Sequence, residues 1–408
     1  MIQTETNLLS SAENSLKETW QRFEDIKNHN QVKILKAFQK AGIQNSHYSW
    51  VTGYGYDDLG KDKIDELFAC YFNTEAALVR NQLVSGTHAI TCAVLGNLNA
   101  GEQFVCVGQP YDTLQTVFNK ISKKYNFDYQ TIYDLSPDTV NADADLDLLI
   151  RSKVTPKTKL VFIQRSRGYE WRTSYNLEQV GLLIQAVKRI SPEIICFVDN
   201  CYGEFTQTQE PTDVGADISA GSLIKNPGAG IVASGAYIVG RRDLVDNAAE
   251  TLTAPGIGIH GGCMFDQTRL IMQGFFLAPM IVCEALKGMS LAGKLFADQG
   301  LETIPAYNAD RNDIIQAIKF NDRDKLIKFC SLVQSLCPVN SMFTPIPAGI
   351  SGYDDEIIMA SGSFVEGSSV ELSVDAPLRE PYIGYLQGGL SYAHTRYVIS
   401  EIVASLRA

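Results

Sequence analysis

Residues 221–231 read GSLIKNPGAGI and place one lysine, Lys225, between an apolar pair and a proline-glycine turn. The residues on both sides indicate a buried position, where an amine is costly to keep charged. Burial lowers the pKa of an amine, and a neutral amine attacks an aldehyde carbon to form a Schiff base. The plain alternative is a lysine whose stem packs at a loop edge while its ammonium reaches water. Lys225 is the first candidate for a catalytic residue.

On both sides of Lys225, short apolar runs alternate with longer amphipathic stretches. This pattern is typical of parallel strands joined by crossover helices. The runs are apolar at nearly every position, so the strands should be buried on both faces. Strands are predicted at residues 76–79, 103–107, 160–163, 194–198 and 235–239. The predicted fold class is α/β, with a mostly parallel central sheet.

The loop after the first predicted strand is small and polar. Ser85, Gly86 and Thr87 lead into a predicted helix. Free backbone N–H groups and the helix dipole favour a phosphate there, and Gly86 permits close approach of the ligand to the backbone. Ser85 acting only as a helix cap is the plain alternative.

Asp199 ends the strand that precedes the lysine segment. A carboxylate at a buried strand end needs a cation or hydrogen-bond donors, although it could also cap the next turn. Pyridoxal phosphate requires a Schiff-base lysine, an acidic partner for its ring nitrogen and an anion cradle. Lys225, Asp199 and residues 85–87 supply these parts, and Ser222 adds a hydroxyl near the phosphate. The sequence therefore predicts a pyridoxal-phosphate site.

Composition narrows the function classes. The chain has 408 residues, 45% of them apolar, and a net charge of −11, which disfavours nucleic acid as a partner. Nine cysteines without CxxC spacing predict reduced core residues, and no His/Cys/Asp set has the spacing of a metal site. No apolar run reaches bilayer length and the N-terminus is polar, so we expect a cytoplasmic protein. The absence of GxGxxG after the first strand argues against a nicotinamide enzyme.

Five segments, in this order, resemble the aluminium resistance protein family, which is related to methionine γ-lyase. They are SGTHA, FVDNCYGEF, SLIKNPGAGI, TAPGIGIHGG and PLREPYIGYLQGGLSY. The resemblance covers almost the whole chain and implies a fold-type-I pyridoxal-phosphate enzyme of the cystathionine/methionine lyase group. It implies a large cofactor domain, a smaller α+β C-terminal domain and a homotetramer of dimers with shared active sites. We expect a helical segment at 1–45, the large domain at 46–290 and the small domain at 291–408.

The resemblance also implies roles for individual residues. Lys225 corresponds to the Schiff-base lysine that also moves the Cα proton, and Asp199 to the acid that keeps the ring nitrogen protonated. Tyr111 is similar in placement to the tyrosine that stacks on the ring and donates a proton to the leaving group. The remaining cofactor contacts are predicted to come from Ser85, Gly86, Thr87, Ser222 and, across a subunit boundary, Tyr54 and Tyr56.

The chain departs from the lyases at several positions. Asp57 and Asp58 stand near the cross-subunit tyrosines, where the lyases carry an arginine, and Lys61 follows. Glu371 lies in the strand where the lyases hold the substrate carboxylate with an arginine, so Arg379 becomes the candidate for that role.

A second basic stretch, IQRSRGYEWRTS at residues 163–174, follows a predicted strand. Arg165, Arg167 and Arg172 could bind an acidic substrate group or pair with nearby acids, and we take Arg167 as a substrate-binding candidate.

From about residue 291 the pattern predicts helices up to residue 336, then strands near 355–364 and 368–374, and a last helix at 392–406. The combined prediction is a lyase that cleaves a sulfur-containing amino acid by β- or γ-elimination. A pyridoxal-phosphate transferase or aminotransferase would use the same lysine and aspartate. A cofactor-binding stress protein with little turnover is the third possibility, and the sequence leaves the substrate open.

Overall fold

The computed structural model describes residues 2–141, 145–350 and 352–407. Helices in this part of the chain are α1 Ile2–Ser15, α2 Lys17–Ala41, α3 Leu59–Phe72, α4 Gly86–Asn97, α5 Asp112–Tyr125, α6 Leu146–Arg151, α7 Leu177–Ile190, α8 Arg242–Leu252, α9 Thr268–Ala297, α10 Arg323–Ser335 and α11 Tyr392–Arg407. Strands are β1 Ala76–Arg80, β2 Gln103–Val107, β3 Asp128–Ile132, β4 Thr158–Gln164, β5 Ile195–Asp199, β6 Ile218–Ser222, β7 Ala236–Gly240, β8 Glu302–Ile304, β9 Ile315–Lys319, β10 Ile357–Ser361, β11 Ser373–Pro377 and β12 Ile383–Gln387.

The larger sheet has seven strands in the order β1-β7-β6-β5-β4-β2-β3. Only β7 runs against its neighbours β1 and β6, so the sheet is mostly parallel. Apolar clusters cover both faces: one packs against α4, α5 and α8, and another packs against α6 and α7. The predicted α/β fold class is confirmed.

The five predicted strands correspond to β1, β2, β4, β5 and β7, and β1, β2, β5 and β7 are buried at every position. Two strands of this sheet were not predicted. β3 reads DYQTI at the sheet edge, with three half-exposed residues, and β6 reads ISAGS, whose small residues lack strand propensity. Both are recognised only through their pairing with neighbours.

The C-terminal region has a separate antiparallel sheet in the order β10-β11-β12-β9-β8. One of its faces packs on α10, α11 and the end of α9. In this region the structure differs from two predictions made from the sequence. Residues 315–319, predicted as part of a helical stretch, form the strand β9, whose residues pair with β12 and β8. The strand predicted at 368–374 is β11, which begins only at Ser373.

Helix α9 crosses the expected domain boundary at residue 290. The stretch Phe265–Ala297 is long and apolar enough to cross a membrane by length and composition. The expectation that no apolar run reaches bilayer length is wrong. The few charged residues of this stretch lie far enough apart to leave a long apolar window between them. Some 56% of the apolar window is buried, and Phe275, Val282 and Leu286 lie in the core. Within the described chain, α9 packs as a core helix shared by both sheets' apolar layers.

The N-terminal helices pack onto the body of the molecule. Leu9, Ala12 and Leu16 join the apolar cluster of the small sheet, whereas Phe23 and Ile34 of α2 join the cluster around α3 and α9. The segment expected at 1–45 is thus helical as far as Ala41, and it contacts both the large and the small sheet regions.

Candidate active site

A cavity of about 580 Å³ lies between the carboxyl ends of the large-sheet strands and one face of the small sheet. Asp199 ends β5 and Ser222 ends β6, and both line the cavity. The N-terminus of α4 opens onto the same space through Ser85, Gly86 and Thr87. A crevice at this edge is where open parallel sheets bind ligands.

Lys225 lies at the start of a short 3₁₀ turn, Asn226–Gly228. The Asn226 amide donates to the carbonyls of Tyr202 at 3.0 Å and Glu204 at 2.9 Å, which ties the lysine turn to the loop after β5. The Lys225 ammonium lies 4.0 Å from the centroid of the Tyr202 ring. The asparagine-proline-glycine sequence therefore fixes the position from which the lysine enters the cavity.

The protonation of Lys225 differs from the sequence expectation. Burial lowers the pKa of its amine, but Cys201, Tyr202, Tyr111 and Asp199 raise it, and the net pKa lies well above its ordinary value. The predicted downward shift is wrong for the chain by itself, because a lysine cannot be considered apart from the acidic groups that surround it.

Asp199 is buried, with 1% of its surface exposed, and its Oδ1 accepts a hydrogen bond from the Cys201 N–H at 3.1 Å. Burial raises the pKa of this carboxyl, while the Lys225 ammonium and the Cys201 N–H lower it, and the net direction is upward. Asp199 and Lys225 are therefore electrostatically coupled, as expected for a carboxyl at a buried strand end.

The α4 N-terminus has the features of an anion cradle. The Ser85 hydroxyl accepts a hydrogen bond from the His88 N–H at 3.1 Å, so this serine caps the helix and also lines the cavity. A Cβ added at Gly86 would lie 3.0 Å from the Cys201 sulfur and 3.5 Å from the Ser222 Cβ. Glycine is needed here because a side chain would occupy the space between the helix end and β6.

Tyr111 precedes α5 and lines the same cavity. Its hydroxyl lies 2.6 Å from the Thr87 hydroxyl, and its backbone N–H donates to the Gln164 side chain at 2.9 Å. Burial raises the pKa of the Tyr111 phenol far above its ordinary range. The phenol is therefore protonated at neutral pH and available as a proton donor.

The structure does not place the two substrate-binding arginine candidates on the cavity lining. Arg167 is 1% exposed and pairs with Asp313 at 3.1 Å, because the backbone after β4 turns this side chain into the interior. Arg379 lies beyond the end of β11, is about 41% exposed, and pairs with Asp355 at 3.1 Å and Asp112 at 3.5 Å.

The other two arginines of the basic stretch are also used internally. Arg165 donates to the Asn200 side chain at 2.8 Å and to the Gly203 carbonyl at 2.9 Å. Arg172 donates to the Ser166 carbonyl at 2.9 Å. Tyr54 and Tyr56 lie outside the cavity of their own chain, 79% and 53% exposed, and their rings stack 5.6 Å apart.

Several lining residues were not singled out from the sequence. Tyr202 stands inside the quoted segment FVDNCYGEF, three residues after the strand-end Asp199, and that position was a usable signal. Tyr169, Asp375 and Gln387 come from a loop and two strands of the small sheet. For Asp375 and Gln387, only the register of the small sheet reveals that their side chains enter the cavity.

Comparison with known proteins adds the family context. The methionine gamma-lyase family model matches residues 5–407. The Bacillus subtilis strain 168 protein YnbB is 41% identical over 392 residues, covering 94% of this chain and 92% of YnbB.

Two solved structures extend the comparison. A Clostridium novyi NT structure, described as a carbon-sulfur lyase involved in aluminum resistance, is 42% identical, with a TM-score of 0.92 over 100% of this chain and 96% of its own. The pyridoxal-5'-phosphate dependent protein YhfS from Escherichia coli, at 15% identity, shares the fold with a TM-score of 0.61 over 94% of this chain and 97% of its own.

Proposed function

Because the chain belongs to the methionine gamma-lyase family, we propose that it is a pyridoxal-phosphate-dependent lyase that cleaves a sulfur-containing amino acid by β- or γ-elimination. The observation that carries this proposal is the convergence of Lys225, Asp199 and residues 85–87 on one cavity. These are the three parts that the cofactor requires, and they come from three separate places in the sequence.

The residues present fit pyridoxal phosphate. Lys225 would hold its aldehyde carbon, and Asp199 would pair with its ring nitrogen. The N-terminus of α4 with Gly86, Thr87 and Ser222 would hold its phosphate, where a Cβ at Gly86 would intrude. The Tyr111 ring lines the same cavity and offers an apolar face to the cofactor ring.

When bound, the cofactor supplies an electron sink that stabilises negative charge at the substrate Cα. Lys225 carries the amine that can accept and return a proton at that carbon. Asp199 contributes a buried negative charge, which favours a protonated ring nitrogen. Low solvent access around the aspartate strengthens this interaction, since few water molecules compete with it.

Tyr111 is the proposed proton donor to the departing sulfur. Its hydroxyl is held by Thr87 at 2.6 Å, and the elevated pKa keeps the phenol protonated at neutral pH. Transfer of this proton as the carbon–sulfur bond breaks would let the sulfur leave as a thiol rather than as a free thiolate, which lowers the barrier to its departure.

We further propose a cytoplasmic homotetramer in which Tyr54 and Tyr56 reach the neighbouring subunit's site. Both tyrosines are exposed on their own chain, next to Trp50 at 58% and Leu59 at 61% exposure. Exposed apolar side chains this close together in the sequence favour a subunit interface. The buried Lys61 supports the segment by donating to the Gly55 carbonyl at 2.8 Å and the His260 carbonyl at 2.5 Å.

The test is a visible spectrum of the purified protein loaded with pyridoxal phosphate, before and after borohydride reduction, followed by peptide mapping. We expect the reduced adduct on Lys225, and we expect Lys225→Ala to lose it. Lys153→Ala, at an exposed lysine, is the matched control. An adduct on another lysine contradicts the site.

Turnover is tested with cysteine, cystathionine and methionine. Release of a keto acid together with ammonia supports the lyase. Keto acid that appears only after an amino acceptor is added would instead indicate an aminotransferase. Neither product with any of the three would leave a cofactor-binding protein as the better description.

A further inference from the structure

The loop between β10 and β11 brings two buried serines to the cavity, beside the lysine turn. Ser368 and Ser369 are 2% and 3% exposed, and both line the cavity. The glycine before them, Gly367, lies against Ile224, since a Cβ added to it would be 3.6 Å from the Ile224 Cδ1. Ile224 directly precedes Lys225, so the loop places its two hydroxyls close to the reacting centre.

The two hydroxyls are buried without a well-directed hydrogen bond to any described residue. Ser369 lies near Tyr202: burial raises the pKa of this phenol, whereas the Lys225 ammonium and the Ser369 hydroxyl lower it. Ser368 lies near Glu371: burial raises the pKa of this carboxyl, whereas two backbone N–H groups and the Ser368 hydroxyl lower it. A buried hydroxyl that lacks a well-directed partner is costly, so these two indicate a ligand that supplies the missing bonds.

The carboxyl group of an amino acid substrate finds no free cation on the described cavity lining. The charged side chains there are Lys225, Asp199, Glu366 and Asp375. Lys225 and Asp199 belong to the proposed cofactor site, and the other two are acidic. The two arginines considered for this role are paired with aspartates outside the lining.

Asp375 also shares the charge of Lys225. Its Oδ2 accepts hydrogen bonds from the Tyr169 hydroxyl at 3.0 Å and the Gln387 amide at 3.2 Å. Burial raises the pKa of Asp375, whereas these two bonds and the Lys225 ammonium lower it. The one cation of the described lining is therefore already compensated by acidic neighbours, and little of its charge remains for a substrate carboxylate.

We propose that Ser368 and Ser369 bind the carboxyl group of the substrate through neutral hydrogen bonds, and that the enzyme therefore also uses substrates in which this group is a carboxamide. A hydroxyl donates to the carbonyl oxygen of either group and accepts from an amide N–H. The substrate class then includes S-substituted cysteines with a free α-amine whose carboxyl group is joined in a peptide bond. The inference rests on the proposed lyase function, which supplies the reaction.

Elimination from such an amide needs no reagent besides water. The Cα–H bond breaks and its electron pair forms the Cα–Cβ double bond, while the Cβ–S pair leaves with sulfur, which takes up a proton to give a thiol. One water then hydrolyses the resulting enamine to ammonia and a 2-keto amide. The amide bond stays intact throughout.

The test compares S-ethyl-L-cysteine with S-ethyl-L-cysteine amide and with S-ethyl-L-cysteinylglycine. Release of ethanethiol gives kcat and KM for all three compounds by one readout. Because the acid and the amides differ in intrinsic reactivity, each rate is divided by the rate of the same compound with free pyridoxal phosphate. The ligand-induced change in the visible spectrum of the cofactor-loaded protein measures binding independently of turnover.

We expect the normalised kcat/KM of the acid and of the amides to agree within about threefold, whereas an ion pair to the carboxylate would favour the acid by about 10- to 100-fold. In Ser368→Ala and Ser369→Ala, KM should rise by about three- to tenfold for acid and amides alike with little change in kcat, as for a lost neutral hydrogen bond. Ser335→Ala, at an exposed serine outside the lining, is the matched control and should keep the wild-type KM.

A wild-type preference for the acid of about tenfold or more overturns the inference. So does an unchanged KM in both serine variants, since the two hydroxyls would then bind only water. The comparison in the wild-type protein decides the question even if a serine variant fails to fold.

The same measurements separate this inference from the lyase proposal. If the acid releases thiol and the amides do not, the lyase proposal stands and the inference falls. If none of the three compounds releases thiol, the lyase proposal fails. The spectral titration then decides the carboxyl contact, since equal binding of acid and amide upholds it and tighter binding of the acid refutes it.

Discussion

The Lys225 ammonium lies 4.0 Å from the centroid of the Tyr202 ring, and Tyr202 adopts a left-handed backbone conformation with φ of 72°. Such a conformation is disfavoured for a bulky residue and costs about 1–3 kcal/mol. The hydrogen bond that the Asn226 amide donates to the Tyr202 carbonyl, at 3.0 Å, helps to hold the loop after β5 in this strained conformation. The strained tyrosine and the lysine turn are thereby held as one unit.

Replacing Tyr202 should change how readily Lys225 reacts. The ring stabilises the ammonium by about 0.5–2 kcal/mol, and Tyr202 raises the pKa of Lys225. Tyr202→Leu removes the ring, so the neutral amine becomes available at lower pH. We expect the pH midpoint for incorporation of pyridoxal phosphate, followed by visible absorbance, to fall by up to about one unit. Tyr202→Phe keeps the ring and should shift it less. A larger shift in the phenylalanine variant would contradict this role.

Asp199→Asn should separate cofactor attachment from catalysis. The asparagine keeps the shape of the side chain and can still accept the Cys201 N–H, which Asp199 binds at 3.1 Å, but it removes the buried negative charge. We expect the borohydride adduct on Lys225 to persist while kcat falls by about 10² to 10³. Asp213→Asn, a carboxyl outside the cavity, is the control. Unchanged kcat in Asp199→Asn would show that the charge plays no part in the reaction.

The glycine at the start of α4 gives a prediction about cofactor affinity. In Gly86→Ala the new methyl group would press on the Cys201 sulfur at 3.0 Å and narrow the space beside Ser222. We expect the Kd for pyridoxal phosphate to rise about tenfold or more while the protein stays folded, as measured by absorbance titration and circular dichroism. Gly349→Ala, where an added Cβ meets nothing within 4 Å, should leave the Kd unchanged. If the two variants changed the Kd equally, residues 85–87 would not be part of the phosphate site.

The parts of the site that the sequence predicted are those that depend on strand ends. Asp199 and Ser222 end buried strands, and Gly86 opens the helix after another, so the topology of a parallel sheet brings them together without knowledge of any register. The fold class followed from the same runs of apolar residues. Edge strand β3 and the small-residue strand β6 were missed, because pairing partners rather than local composition define them.

The small-sheet side of the cavity could not be predicted in the same way. Asp375 and Arg379 are only four residues apart, and the arginine was the predicted substrate contact because its chemistry suits a carboxylate. In the structure β11 ends at Pro377, and Arg379 lies beyond it, outside the cavity lining and paired with Asp355. A one-residue change in strand register moves every side chain of the strand to the other face of the sheet. A single sequence does not determine that register, so it does not show which strand residues enter the cavity.

Glu204 offers a prediction about the pH dependence of stability. This carboxyl is fully buried behind the lysine turn, and its Oε1 accepts a hydrogen bond from the Tyr237 hydroxyl at 2.9 Å. Burial raises the pKa of Glu204 from 4.5 to about 8, so the folded protein holds a proton that the unfolded chain releases above pH 4.5. Since the folded state binds more protons between about pH 4.5 and 8, stability attributable to this group falls as pH rises through that window.

Glu204→Gln keeps an acceptor for Tyr237 and removes the titration. We expect the wild-type free energy of unfolding, relative to that of Glu204→Gln, to fall by up to about 1.4 kcal/mol per pH unit across this window. Urea unfolding of both cofactor-loaded proteins at pH 5, 6, 7 and 8 measures the difference, and Glu356→Gln, at an exposed glutamate, should follow the wild type. A constant difference between wild type and Glu204→Gln over these pH values would mean that Glu204 is already ionised in the folded protein. The buried network of Glu204, Tyr237 and Asn200 would then have to stabilise a full negative charge beneath the lysine turn.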